Sequence, residues 1–151
     1  MYNVIKDTIK KINKITEGNV IFVGSIARYF NDINTEIHDI DILLRDSKYI
    51  DYLKIFGELT QSTRSADILG SDVLKYYIKQ DNLTIDIFVH NKEEEILETN
   101  LDGIIIKYVS LNSQIKHIEN FIGRLDLNKK VHELIYNDYK PTLDILKNNI
   151  N

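Results

Sequence analysis

Two neighbouring stretches decide how this chain is read: Val23-Gly24-Ser25-Ile26-Ala27-Arg28 and His38-Asp39-Ile40-Asp41-Ile42. The first follows an apolar run, Asn19-Val-Ile-Phe-Val23, that reads as a short buried strand ending at Gly24. Residues 25–31 then read as a helix opening on Ser25, a favourable capping type. The second stretch begins another strand, 39–44. Successive strand side chains point to opposite faces, so Asp39 and Asp41 share one face while Ile40 and Ile42 anchor the other. Two like charges so placed repel unless protons or a cation compensate them. Alone, the acid pair fits an exposed edge strand equally well, and Gly-Ser fits a plain capped turn.

A third acid changes that balance. In Leu83-Thr-Ile-Asp-Ile-Phe-Val-His90, Asp86 interrupts an otherwise apolar strand. A lone carboxylate there is costly without a metal, a partner or solvent. Beside the 39–44 strand it completes a set of three acids, of the kind that holds Mg²⁺ against phosphate oxygens. Gly24 lets the backbone turn and approach a ligand closely, and the helix start after it offers free N–H groups to phosphates. Asp67, Asp72 and Asp81 fall in expected loops and are weaker candidates.

The rest of the chain bounds the possibilities. With 151 residues, 43% hydrophobic and 28% charged, it is expected to form a single domain over 1–151, with a core over about 19–110 and C-terminal helices over about 111–150. There is no cysteine, hence no disulfide or thiolate metal site. The opening MYNVIKDTIKK lacks the apolar segment of a signal peptide, and no run approaches a membrane span of about 20 residues. The expectation is a soluble, cytoplasmic protein with no membrane partner. A formal charge of −4 argues against broad nucleic-acid coating but not against contact with one RNA end.

Helical spacing of Val4, Ile5, Ile9, Ile12 and Ile15 predicts a helix over 3–15, with Lys6, Lys10 and Lys14 on a solvated face. Residues 47–56 read as a helix capped by Ser47, and 58–72 as loop. Runs 73–79 and 83–90 read as a β-hairpin. Residues 104–109 read as a strand, and everything from Leu111 as helical, with Pro141 starting a last helix. The fold class is α+β (α/β-like): a small mixed sheet with helices packed on it.

Gly24-Ser25, a spacer over 26–38, and Asp39-Ile40-Asp41 together resemble the signature of the DNA polymerase β-like nucleotidyltransferase superfamily, with Asp86 where its third carboxylate is expected. Gly24-Ser25-Ile26-Ala27-Arg28 is similar to the start of the minimal nucleotidyltransferases, which include antitoxin members. The resemblance covers about 19–90. Tyr29 stands where minimal members often have Gly, and His38 where many have Ser; the spacer over 31–38 is long.

The resemblance implies a nucleotidyltransferase-like fold and transfer of an NMP from an NTP to a hydroxyl of a protein, a tRNA or RNA end, or a small molecule. It implies Mg²⁺ or Mn²⁺ held by Asp39, Asp41 and Asp86, with Asp86 also helping to deprotonate the acceptor, and triphosphate contacts from Gly24, Ser25 and Arg28. A toxin–antitoxin partner is a further possibility. The alternative is a non-catalytic nucleotide-binding or antitoxin-like protein that retains the fold. Arg64, Lys116 and His90 are weaker candidates, better read as solvated or strand-end residues. His117 and His132 carry no expected metal role, and Tyr76, Tyr77 and Tyr108 read as sheet residues.

Overall fold

The computed structural model describes residues 1–62 and 73–150, so Arg64, Asp67 and Asp72 lie outside the described residues. In chain order the elements are α1 (Asn3–Ile15), β1 (Ile21–Val23), α2 (Gly24–Phe30), β2 (Asp39–Leu44), α3 (Ile50–Leu53), β3 (Leu59–Gln61), β4 (Leu74–Gln80), β5 (Leu83–Val89), β6 (Ile96–Leu101), β7 (Ile104–Val109), α4 (Leu111–Gly123) and α5 (Lys130–Asn148). The strands form one seven-stranded mixed sheet in the order β3-β4-β5-β2-β1-β7-β6. This is the α+β architecture expected from the alternating pattern, C-terminal helices included.

The core follows from strand parity. Ile40, Ile42 and Leu44 of β2 and Ile85 and Ile87 of β5 are fully buried. These two strands are parallel and in register, Ile40 beside Ile85 and Ile42 beside Ile87, so the isoleucines form one continuous apolar face. Helix α1 covers that core with Ile5, Ile9 and Ile12. A smaller cluster of Ile33, Ile118, Leu143 and Leu146 seats α4 and α5 against the 31–38 segment. Among the described residues no helix is long and apolar enough to cross a membrane.

Several local readings need correction. Residues 47–56 form a single α-turn between two 3₁₀ turns, and the cap is Asp46, whose carboxylate accepts from the Lys48 amide at 2.9 Å. Within the expected 58–72 loop, 59–61 pairs with β4 as a strand. Strand β6 was not expected; it joins β7 through Asp102-Gly103, both at positive φ (54° and 88°), a pairing that favours tight hairpins. Asp102 also receives Lys6 and Lys10, each at 3.1 Å, so two residues of the lysine row are tied to a turn, whereas Lys14 stays exposed. Pro141 lies inside α5 and does not start it. A proline removes one N–H from a helix; here Leu143 and Leu146, just beyond it, are buried against α4, so packing carries the helix through.

Truncating the shared apolar face should be costly: Ile42→Ala is expected to lower unfolding stability by about 2–5 kcal/mol, read from the shift in a urea-denaturation midpoint.

Candidate functional site

The polar face of the same strands carries the acids. Because β2 and β5 are parallel and in register, Asp41 lies directly beside Asp86, and Asp39 beside Thr84. On the other side of β2, Val23 pairs with Asp41. The chain then leaves β1 at Gly24 with φ +59°, and a Cβ there would lie 2.0 Å from Asp41 Oδ2. Glycine is thus required twice, by the left-handed backbone and by the closeness of the carboxyl group.

These neighbours set the ionisation. The Asp41 carboxyl is pushed up to about 8 by burial, then by the adjacent Asp86 charge, by a hydrogen bond it donates to Asp86 when protonated, and by Asp39. Asp39 is raised as well, by partial burial and then Asp86. Lys75 on β4 opposes these effects; its Nζ lies 4.0 Å from Asp86 Oδ1. The sequence offered a signal for Lys75 in its hairpin position: it pairs with Phe88, two residues from Asp86.

Asp39 and Asp41 open into a cleft of about 410 Å³ together with Gly24, Ser25 and Arg28. Five of the six expected site residues therefore meet in one cavity. Asp86 touches Asp41 but does not line that cavity, and it is mostly buried. Ser25 is not the helix cap: α2 begins at Gly24 without a side-chain cap, and the buried Ser25 hydroxyl donates to the Asp39 carbonyl at 3.3 Å. Its fold role is thus to tie the turn to the acidic strand. Arg28 is half-buried near Asp41, and burial lowers its pKa while Asp41 raises it.

The other wall was not expected from the sequence. Ser113, Gln114, His117 and Ile118 of α4, and Asp138, Tyr139 and Thr142 of α5, line the same cleft. Gln114 is buried, and neither its amide nitrogen nor its amide oxygen has a hydrogen-bond partner among the described residues. Leaving a buried polar group unpaired costs about 1–3 kcal/mol, which makes this residue conspicuous. His90 also borders the cleft, but it is a buried strand-end residue whose Nδ1 accepts from the Lys92 amide at 3.1 Å. Lys116 is exposed, Asp81 sits at the exposed β4–β5 turn, and His132 accepts from the Asp126 amide. Tyr108 is buried in the core, and Tyr77 pairs with Asp86 on the sheet.

No family model matches the sequence, and no curated protein matches it. Among solved structures, a Thermotoga maritima protein described as a candidate nucleotidyltransferase superposes with a TM-score of 0.61 at 15% identity, covering 91% of this chain and 96% of that one. This chain has a nucleotidyltransferase-like fold. A CCA-adding enzyme in an apo form aligns over 76% of this chain and 26% of its own length, with 16% identity and a TM-score of 0.44; at that score it adds nothing to the assignment.

The acid pair suits a hard divalent cation, because Asp41 and Asp86 are neighbouring oxygen donors whose repulsion is otherwise relieved by a retained proton and by Lys75. Among the described residues, however, no group of three or more His, Asp or Glu side chains has converged as a metal site.

Two outcomes test this geometry. A carboxyl with a raised folded value keeps its proton while the unfolded chain has lost it, so its contribution to stability is full below the unfolded value of 3.8 and is lost as pH rises through about 8. In chelator, Asp41→Asn is therefore expected to lose less melting temperature than the wild type between pH 5 and 8.5; parallel profiles would contradict the raised value. Gly103 also has positive φ but open space around it. Gly103→Ala should cost about 1–3 kcal/mol of strain, and Gly24→Ala clearly more, by chemical denaturation of both variants.

Proposed function

We propose that this protein is a metal-dependent nucleotidyltransferase that moves an NMP from an NTP onto a hydroxyl of a protein, an RNA or tRNA end, or a small molecule. The observation that carries the reading is the side-by-side placement of Asp41 and Asp86 on parallel strands, with Gly24 packed against the first at the mouth of a nucleotide-sized cleft. The nucleotidyltransferase-like fold supports it.

In this reading Asp39, Asp41 and Asp86 hold Mg²⁺ or Mn²⁺, which supplies charge neutralisation at the phosphates when bound. Gly24 keeps the backbone close to the triphosphate, and Arg28 adds a positive charge beside it. Ser25 holds the turn and Asp39 together. Asp86 helps to deprotonate the acceptor hydroxyl by way of the neighbouring Asp41, which lines the cleft; the freed oxygen bonds to the α-phosphorus, and the bond from that phosphorus to the bridging oxygen breaks, releasing pyrophosphate. The protein contributes position and charge and makes no covalent bond itself.

One observation favours a second reading, a nucleotide-binding module without catalysis: the acids of the described residues have not converged as a ready metal site. Incubating the protein with each α-labelled NTP and Mg²⁺ or Mn²⁺ in a cell extract separates the two. The transferase is expected to label a protein, RNA or small molecule, with labelling reduced about 100-fold or more in Asp39→Asn and in Asp86→Asn. Nucleotide binding without label supports the module, and absence of both metal and nucleotide binding overturns the proposal.

A further inference from the structure

The unpartnered amide of Gln114 asks for a ligand group of its own. Only 6% of the residue is exposed; it is one of the residues lining the cleft that Asp39 and Asp41 share, with both amide atoms nearly closed to solvent in the free protein. Its neighbours have partners: Ser110 Oγ accepts from the Ser113 amide at 3.1 Å, and Ser113 Oγ accepts from the Glu95 amide at 2.7 Å. The backbone of Gln114 is also engaged, donating to the Ser110 carbonyl at 3.1 Å, which fixes the residue in the first turns of α4. What is left is a side chain with a donating NH₂ and an accepting carbonyl oxygen side by side, both unpartnered.

The ligand moiety that satisfies both is narrowly defined. Phosphate oxygens only accept, so they leave the amide oxygen unpaired. A single hydroxyl oxygen can serve both groups at once only through bent, weakened hydrogen bonds. A nucleobase edge presents an adjacent donor and acceptor in one plane, the pattern that a glutamine amide pairs in a bidentate manner. Val109 and Ile118 line the cleft with Gln114 and give a flat heterocycle apolar surface to lie against. The cleft therefore has one end, at Asp39 and Asp41, suited to a metal-bound polyphosphate, and a second wall from α4 and α5, Asp138 and His117 included, where Gln114 offers hydrogen bonds suited to a base.

We propose that Gln114 is a specificity-determining residue whose amide pairs with the base edge of the bound nucleotide and selects among nucleotides. This rests on the nucleotide reading of the cleft given above. It predicts discrimination where a mere filler residue would show none, because a nucleotide lacking the matching edge leaves the amide unpaired.

The test measures binding by calorimetry, with Mg²⁺, of the four NTPs and of ribose 5-triphosphate, which has the phosphates without a base. The wild type is expected to bind at least one NTP about 10-fold or more tightly than ribose 5-triphosphate. Gln114→Leu should erase that margin while leaving ribose 5-triphosphate binding unchanged. It should also raise the melting temperature of the free protein by about 2–4 °C, since an unpaired buried amide is removed. Gln114→Glu, which loses the donor, should change the order of preference among the four NTPs.

Equal affinity of the wild type for NTPs and ribose 5-triphosphate would overturn base reading while leaving the nucleotidyltransferase proposal standing. Equal loss of every ligand in Gln114→Leu would assign the residue a structural role and overturn it as well. If the wild type binds no triphosphate at all, the underlying reading of the cleft fails and this inference with it.

Discussion

Two carboxyl groups forced together on adjacent parallel strands are the constraint around which this molecule is arranged. The register that joins Ile40 to Ile85 and Ile42 to Ile87 in the core also joins Asp41 to Asp86 on the opposite face. The apolar face cannot be formed without bringing the acids together, because strand parity couples the two faces. Their repulsion is met by a retained proton on Asp41 and by the nearby ammonium of Lys75.

The same constraint explains the turn beside it. Gly24 lies so close to Asp41 that any side chain would meet the carboxyl group, and its backbone is left-handed. Ser25 then fastens the turn to Asp39 through a backbone carbonyl. Position is thus passed from core packing to the acidic strand, and from there to the start of α2. The remaining wall comes from α4 and α5, held by a separate apolar cluster that includes Ile33. An enclosing cleft therefore depends on two cores: one beneath the sheet and one between the C-terminal helices and the 31–38 segment.

Much of this was legible in advance because it depends on short-range pattern. Alternation in 39–44 and 83–90 placed the acids on one strand face, and isoleucine spacing placed α1. Local competition was harder to read. Ser47 and Asp46 are both good caps, and the acid is the one used. Pro141 resembles a helix start, yet burial of Leu143 and Leu146 outweighs the lost hydrogen bond. Strand β6, Ile96–Leu101, is mostly exposed and has weak apolar alternation, so its main signal was the Asp102-Gly103 turn. Ser25 reads as a cap from its place at the start of α2, but its hydroxyl donates to the Asp39 carbonyl on β2, fourteen residues along the chain.

Which residues share a strand face, and where the backbone needs glycine, can be read directly from the chain, because periodicity and φ preference are local properties carried by a few consecutive residues. The hairpin that brings Lys75 to Asp86 is local, but the pairing of Asp41 with Asp86 and the burial of an unpaired Gln114 in the acidic cleft came from the tertiary structure. Those depend on strand order, parallel register and helix docking. Each is settled by the burial of apolar surface far along the chain, so no local pattern encodes it.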